Sequence, residues 1–241
     1  MTTLRNMLKS DLRQVNLILS KSFTHARLQN GLRSNRVPLC RPEFLEMYLA
    51  ANPGGSFVIE KSNKIIAYCF THLWGMVGWI GPLSVIPAEE GQGYGKKVVS
   101  ASVDFLKQQG AKTIGLEMPA HSNRNLAFYT KLGFIPGKLT VDFIYKVSEQ
   151  SQYKGSKEFT LTKFSKLSHD NKSIFLDKVK QFSSQFEPGL DFTNEIKITT
   201  EFGFGDACLI SRADKTFGLF SGRKAAVSQN KYIANVSRIA P

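Results

Sequence analysis

With 241 residues, 42% hydrophobic content and 18 phenylalanines, the chain has material for one large domain or two small ones, each with an apolar core. No stretch approaches the ~18 to 20 uninterrupted apolar residues of a membrane span, and Arg5, Lys9, Asp11 and Arg13 break up the N-terminus, so no secretory signal is expected. The formal charge of +13 is spread over both halves instead of forming a basic tail, which disfavours a dedicated nucleic-acid binder and favours small polyanionic ligands.

These properties predict a cytoplasmic protein with no membrane contact. Cys40, Cys69 and Cys208 are far apart and outside any CxxC spacing, which argues against a disulfide framework or a zinc site. They read as small buried hydrophobes. No metal-ligand spacing and no Ser-His-Asp arrangement is present, and His25, His121 and His169 read as surface or packing residues.

A short strand is expected from Leu4, followed by Ser10 as the N-cap of a helix patterned on Leu12, Val15, Ile18 and Leu19. A loop with Arg27, Arg33, Arg36 and Arg41 leads to a second helix, which Pro42 and Glu43 open at its first turn. SFVIE and IIAYCFTHLW are β-rich and joined at Lys61-Ser62-Asn63-Lys64, a hairpin signal, and WIGPLSVIP is a further strand.

The stretch EEGQGYGKKVV, residues 89–99, then places three glycines in five positions ahead of a helix expected over Lys96 to Gln109, with Gly110 as its C-cap. TIGLEM reads as a strand, SNRNLAFYTKLG as a helix closed by Gly133, and FIPGKLTVDFIYKV as two short strands. SEQSQYKGS is polar, which places a linker over 148–156.

Beyond it the early pattern begins again. TLTKFSKLSHDNKSIFLDKV resembles TLRNMLKSDLRQVNLIL, GDACLISRADKTFGLF lies on GSFVIEKSNKIIAYCF with one residue inserted, and YIANVSRIAP lies on WIGPLSVIP. The expected organisation is a complete domain over 1–147 and a partial repeat over 157–241 that stops short of a second glycine turn.

A strand that runs through GQGYG into a helix leaves main-chain amides of the turn unpartnered and pointing one way. Without Cβ atoms at Gly91, Gly93 and Gly95, phosphate oxygens can come close to them and to the positive end of the helix. A plain strand-to-helix turn would look the same in isolation. The turn is not GxxxxGK[ST], and it follows several meander strands instead of opening a βαβ unit, which argues against both a P-loop and a Rossmann site.

The glycine turn together with SNRNLAFYTKLGF about thirty residues later resembles the GNAT acetyltransferase superfamily. In that family a strand, glycine turn and helix are followed by a strand and a helix ending in Tyr-x-x-x-Gly-Phe, here Tyr129 to Phe134. The resemblance covers about residues 3–147. It implies an α/β (α+β) fold with a mixed, mostly antiparallel sheet and flanking helices, followed here by the partial second copy.

It also implies transfer of an acetyl group from the cosubstrate acetyl-CoA to an amine, without a metal. The implied acetyl-CoA contacts are Leu83, Ser84 and Val85 on a strand that separates from TIGLEM, the turn residues Gly91, Gln92, Gly93, Tyr94, Gly95 and Lys96, and Ser122, Asn125 and Tyr129. Glu90 departs from the family pattern, which has Gln or Arg at that position; a carboxylate cannot donate to a pyrophosphate oxygen and adds mild repulsion.

Tyr129 occupies the position from which family members protonate the departing sulfur, although packing against Leu126 and Leu132 would also account for it. An N-cap role would account for Ser122. Glu117 is the first candidate for the base, His72 the second, and a water chain the third. If the arginine-rich loop is functional, the acceptor carries a carboxylate or phosphate near its amine; the partial repeat would cap the first domain or form a homodimer. The competing reading is a non-catalytic acyl-CoA-binding or regulatory protein.

Overall fold

The computed structural model describes residues 1–31, 36–137, 158–213, 215–223 and 233–235, which build two sheets. In the first, β1 (Thr2–Asn6) passes through a 3-10 turn (Lys9–Asp11) into α1 (Leu12–Gln29) and α2 (Pro42–Ala51). β2 (Phe57–Lys61), β3 (Lys64–Trp74) and β4 (Val77–Val85) then form an antiparallel meander. α3 (Tyr94–Gln108) returns the chain to β5 (Thr113–Gly115), parallel to β4, and α4 (Asn123–Lys131) follows. The strand order is β1-β2-β3-β4-β5.

Alternation along β3 divides the core between two layers. Tyr68 and Phe70 face α1 and α2 with Val15, Leu19 and Leu45, while Ala67 and Cys69 face α3 with Val98, Val99 and Leu106. The β2–β3 hairpin turns at Ser62 and Asn63, both at positive φ, as the Lys-Ser-Asn-Lys signal predicts. β4 is irregular opposite Cys69 and Thr71, at Gly81-Pro82, where a proline that cannot donate to the ladder is tolerated.

The second sheet is built from β6 (Thr160–Lys163), a 3-10 turn (Phe164–Lys166), α5 (His169–Ser183), α6 (Thr193–Glu201), β7 (Gly205–Arg212), β8 (Lys215–Arg223) and β9 (Ile233–Asn235). Its order is β6-β7-β8-β9, antiparallel throughout, with Phe164, Phe175, Val179, Phe182, Ile196 and Leu209 in its core. A strand, a 3-10 turn, two helices and three antiparallel strands thus run in the same order in both halves.

The halves dock at the β3–β4 turn. The Met76 amide donates to the Gly189 carbonyl (2.9 Å), and the Asp191 amide to the Trp74 carbonyl (3.1 Å). Gly75 sits at φ +67, and a Cβ there would overlap the Gly189 carbonyl. The Phe44 and Phe204 rings meet edge to face at 5.4 Å, with the Arg41 guanidinium 5.0 Å from the Phe204 ring centre.

Several local expectations are corrected. Ser10 lies inside the 3-10 turn, and Asp11 stands at the α1 N-cap position, with its carboxylate bonded to Arg5 and the Leu8 amide and not to the helix. The glycine-turn helix begins at Tyr94 instead of Lys96, and Gln109 is its C-cap, with Gly110 following at positive φ. TIGLEM is a strand only to Gly115. Cys69 is buried, whereas Cys40 and Cys208 are half-buried. Residues 134–137 form no strand; the rest of the two strands expected there, the linker over 148–156 and Arg33 lie outside the described residues.

Candidate active site

The chain leaves β4 through a 3-10 turn (Pro87–Glu89) and makes the glycine turn with Gly91 at φ +78 and Gly93 at φ +81. Gly93 is the α3 N-cap, and no side chain caps the helix. Among the described residues, the amides from Gly91 to Lys96 have no acceptor; the first pairing is the Lys97 amide with the Gly93 carbonyl at 3.1 Å. A Cβ at Gly91 or Gly93 would meet nothing within 4 Å, so both faces are open to a ligand. Gln92, Lys96 and Lys97 are exposed, while Tyr94 is buried and fixes the turn to the core.

Gly95 has a different task. A Cβ there would lie 3.3 Å from the Phe128 ring, so its absence lets α4 close on α3.

β4 and β5 pair at only three positions, from Val77–Thr113 to Trp79–Gly115. The Trp79 ring lies over Gly115, where a side chain would collide with it. From Ile80 to Val85, β4 is paired with β3 at Ile80, Leu83, Ser84 and Val85 and has no β5 residue beside it. This stretch carries Leu83, Ser84 and Val85. Leu83 and Val85 pack toward α3; Ser84 is buried and paired across β3 with Tyr68. The Val85 carbonyl accepts from the Ser22 hydroxyl at 3.2 Å.

α4 packs into the same apolar cluster as Leu83 and Val85. Ser122 is its N-cap residue and is buried, but its hydroxyl does not cap the helix, which removes the capping account of this side chain. Asn125 is half-buried. Tyr129 packs with Phe128 (5.0 Å between centroids) and Phe134 (5.8 Å), in the apolar cluster that also holds Leu83 and Val85. Burial, and secondarily the nearby Cys69, pushes its phenol above the usual range. The Cys69 thiol is pushed by burial up to about 12.

The two base candidates lie apart. Glu117 is exposed, in the irregular segment that follows β5 and not on the strand itself. His72 is enclosed on the α2 side of the sheet, edge to face with Tyr48 at 4.8 Å and with Nδ1 3.6 Å from the Glu195 carboxylate. Of the loop arginines, Arg41 is engaged with Phe204 and Glu43, and Arg27 and Arg36 are exposed. No group of three metal-ligating side chains occurs among the described residues.

Sequence reasoning left one feature of the turn without a partner. Glu90 is held by Arg124 of α4, with Nη2 2.6 Å from its carboxylate, and Arg124 Nη1 reaches Gln29 at the end of α1 (3.3 Å). The opposite charges of Glu90 and Arg124 were the available signal. Their separation of 34 positions hid it.

Residues 20–134 match the model of the acetyltransferase (GNAT) family. Over 57 residues the chain is 37% identical to N-alpha-acetyltransferase 30 of Schizosaccharomyces pombe, covering 24% of this chain and 38% of that protein. Over 97 residues it is 28% identical to the mycothiol acetyltransferase of Streptomyces coelicolor, covering 39% of this chain and 31% of that protein. The chain therefore spans about a third of the length of these relatives.

A solved Pyrococcus horikoshii structure, of proposed acetyltransferase function, superposes with a TM-score of 0.57 at 15% identity, covering 92% of this chain and 67% of that one, which is a likeness of fold. The open β4 edge and the glycine turn both fall within residues 20–134, the segment that matches the acetyltransferase (GNAT) family model.

Proposed function

We propose that the protein transfers the acetyl group of acetyl-CoA to a primary amine. The observation that carries this reading is the loss of β4–β5 pairing beyond Trp79–Gly115, which leaves Ile80 to Val85, the stretch that leads to the glycine turn, without a β5 neighbour. A pantetheine arm has amide groups that suit such an edge. Its diphosphate then reaches the open amides from Gly91 to Lys96 at the α3 N-terminus, with Lys96 adding charge. The residues present fit the cosubstrate, since Cβ atoms are missing where the phosphates must come closest.

In this reading Leu83, Ser84 and Val85 line the arm, with Ser122, Asn125 and Tyr129 along α4. The amine nitrogen bonds to the thioester carbon as the carbon–sulfur bond breaks, and the amine proton passes to a base. Tyr129, which burial keeps protonated, donates to the departing sulfur. Glu117 is the base candidate that an acceptor can reach, whereas His72 is closed off beneath α6.

Residues 157–241 read as a partial second copy that caps the first. The repeated order of strand, 3-10 turn, two helices and three strands supports this.

Calorimetric titration with acetyl-CoA, followed by thiol release with a panel of amines, tests the assignment. Binding and turnover are expected. Binding with no turnover on any amine would leave an acyl-CoA-binding protein, and no binding would remove both.

A further inference from the structure

We infer that Arg124 is a phosphate-binding side chain of the CoA site, and that Glu90 is the residue that positions it. The inference rests on the acetyl-CoA reading above. Glu90 is the residue immediately before Gly91, so its carboxylate belongs to the turn itself, and taken alone it would repel a diphosphate. It is not alone. Arg124 Nη2 lies 2.6 Å from Glu90 Oε2, and Arg124 Nη1 lies 3.3 Å from Gln29 Oε1. Gln29 Nε2 is in turn 2.8 Å from His25 Nε2, so the guanidinium is steadied from the end of α1 as well as from the turn.

Three features make this more than a surface ion pair. First, the pair joins the glycine turn to the first helical turn of α4, where Arg124 sits two residues after Ser122. Second, a guanidinium has five N–H donors in a rigid fork, and Glu90 and Gln29 account for two of them among the described residues. Third, the Arg124 side chain is 58% exposed and Glu90 28%, so the remaining donors face solvent while the carboxylate lies inward. Such a fork suits a phosphate oxygen, and holding it in place beforehand lowers the ordering cost of the contact. The donor that a Gln or Arg would supply from the turn is thereby supplied from α4, and the acidic residue becomes its anchor.

Calorimetry with CoA on the wild-type protein, Arg124→Ala, Glu90→Ala and the double variant tests this, with thermal melts as the folding control. Arg124→Ala is expected to weaken CoA binding about 10-fold. Glu90→Ala is expected to weaken binding about threefold in the wild-type background, although it removes a negative charge. In the Arg124→Ala background the same change is expected to strengthen binding, because only repulsion is then left. This reversal of sign is one that a purely structural role for Glu90 would not produce.

Unchanged affinity in Arg124→Ala, or tighter binding in Glu90→Ala alone, overturns the inference while leaving the acetyl-CoA reading in place. Absence of CoA binding by the wild-type protein would remove both.

Discussion

The Trp74 indole N–H of β3 donates to the Glu195 carboxylate of α6 at 3.2 Å, so a strand residue of the first sheet is bonded to a helix residue of the second across 121 positions of sequence. The same carboxylate lies 3.6 Å from His72 Nδ1, and Phe192 packs on the Trp74 ring at 5.2 Å. Glu195 is buried, so its removal leaves the indole N–H without an acceptor in an enclosed place. Glu195→Ala should cost about 1–3 kcal/mol of stability by urea denaturation. An unchanged midpoint and slope would mean that the two halves do not depend on this contact.

Tyr129→Phe keeps the packing on Phe128 and Phe134 and removes only the hydroxyl. Thiol release should fall about 10- to 1,000-fold, with acetyl-CoA affinity retained. Equal turnover would reduce Tyr129 to a packing residue.

The same phenol governs an expectation for pH. Its folded value is raised, so the protonated, donating form persists through the range in which an ordinary phenol ionises near pH ~10. The rate under saturating substrates should therefore not decline on account of Tyr129 between pH ~9 and ~10, where an ordinary phenol begins to ionise. A decline in that window that Tyr129→Phe abolishes would contradict the burial argument.

Gly93→Ala places a methyl group where the protein itself has nothing within 4 Å, at a φ of +81. The strain should cost about 1 kcal/mol of stability, while the methyl would intrude on any anion seated on the turn. A loss of acetyl-CoA affinity of about 10-fold or more is expected, read by calorimetry beside a thermal melt. Loss of stability alone would place the ligand elsewhere.

Asp11 accepts from Arg5 at 2.7 and 2.9 Å and from the Leu8 amide at 2.8 Å, and the Arg5 bonds hold its carboxyl below the usual carboxylate range. A depressed folded pKa stabilises above the unfolded value, near 4, and this stabilisation is lost as the pH falls further. Asp11→Asn should therefore lower stability at pH 7 by about 1 kcal/mol, a modest figure because Arg5 is partly exposed. The gap between variant and wild type should narrow below pH ~4. A constant gap across the acid range would exclude the ionic contribution.

Local chemistry made the strands and helices of the first half legible. Alternation through IIAYCFTHLW, the turn residues Ser62 and Asn63, and Pro42 at a helix start each act within a few positions. In the second half α6 was not anticipated, since TNEIKITTE has three threonines and little apolar periodicity. Its place is set by Glu195 and Ile196 packing against distant partners.

What stayed hidden in the site was long-range pairing. The Trp79 ring lies over Gly115, the last residue of β5, and the neutralisation of Glu90 depends on Arg124. Neither can be read from spacing.

A sheet that stops closing halfway along one of its inner strands carries a reporter of its own occupancy. With no neighbour on one side, the backbone protons of β4 beyond Trp79 should trade with deuterated solvent sooner than those nearer the β3–β4 turn. A guest that lies down in the cleft as a surrogate strand should slow that exchange there before it slows it anywhere else.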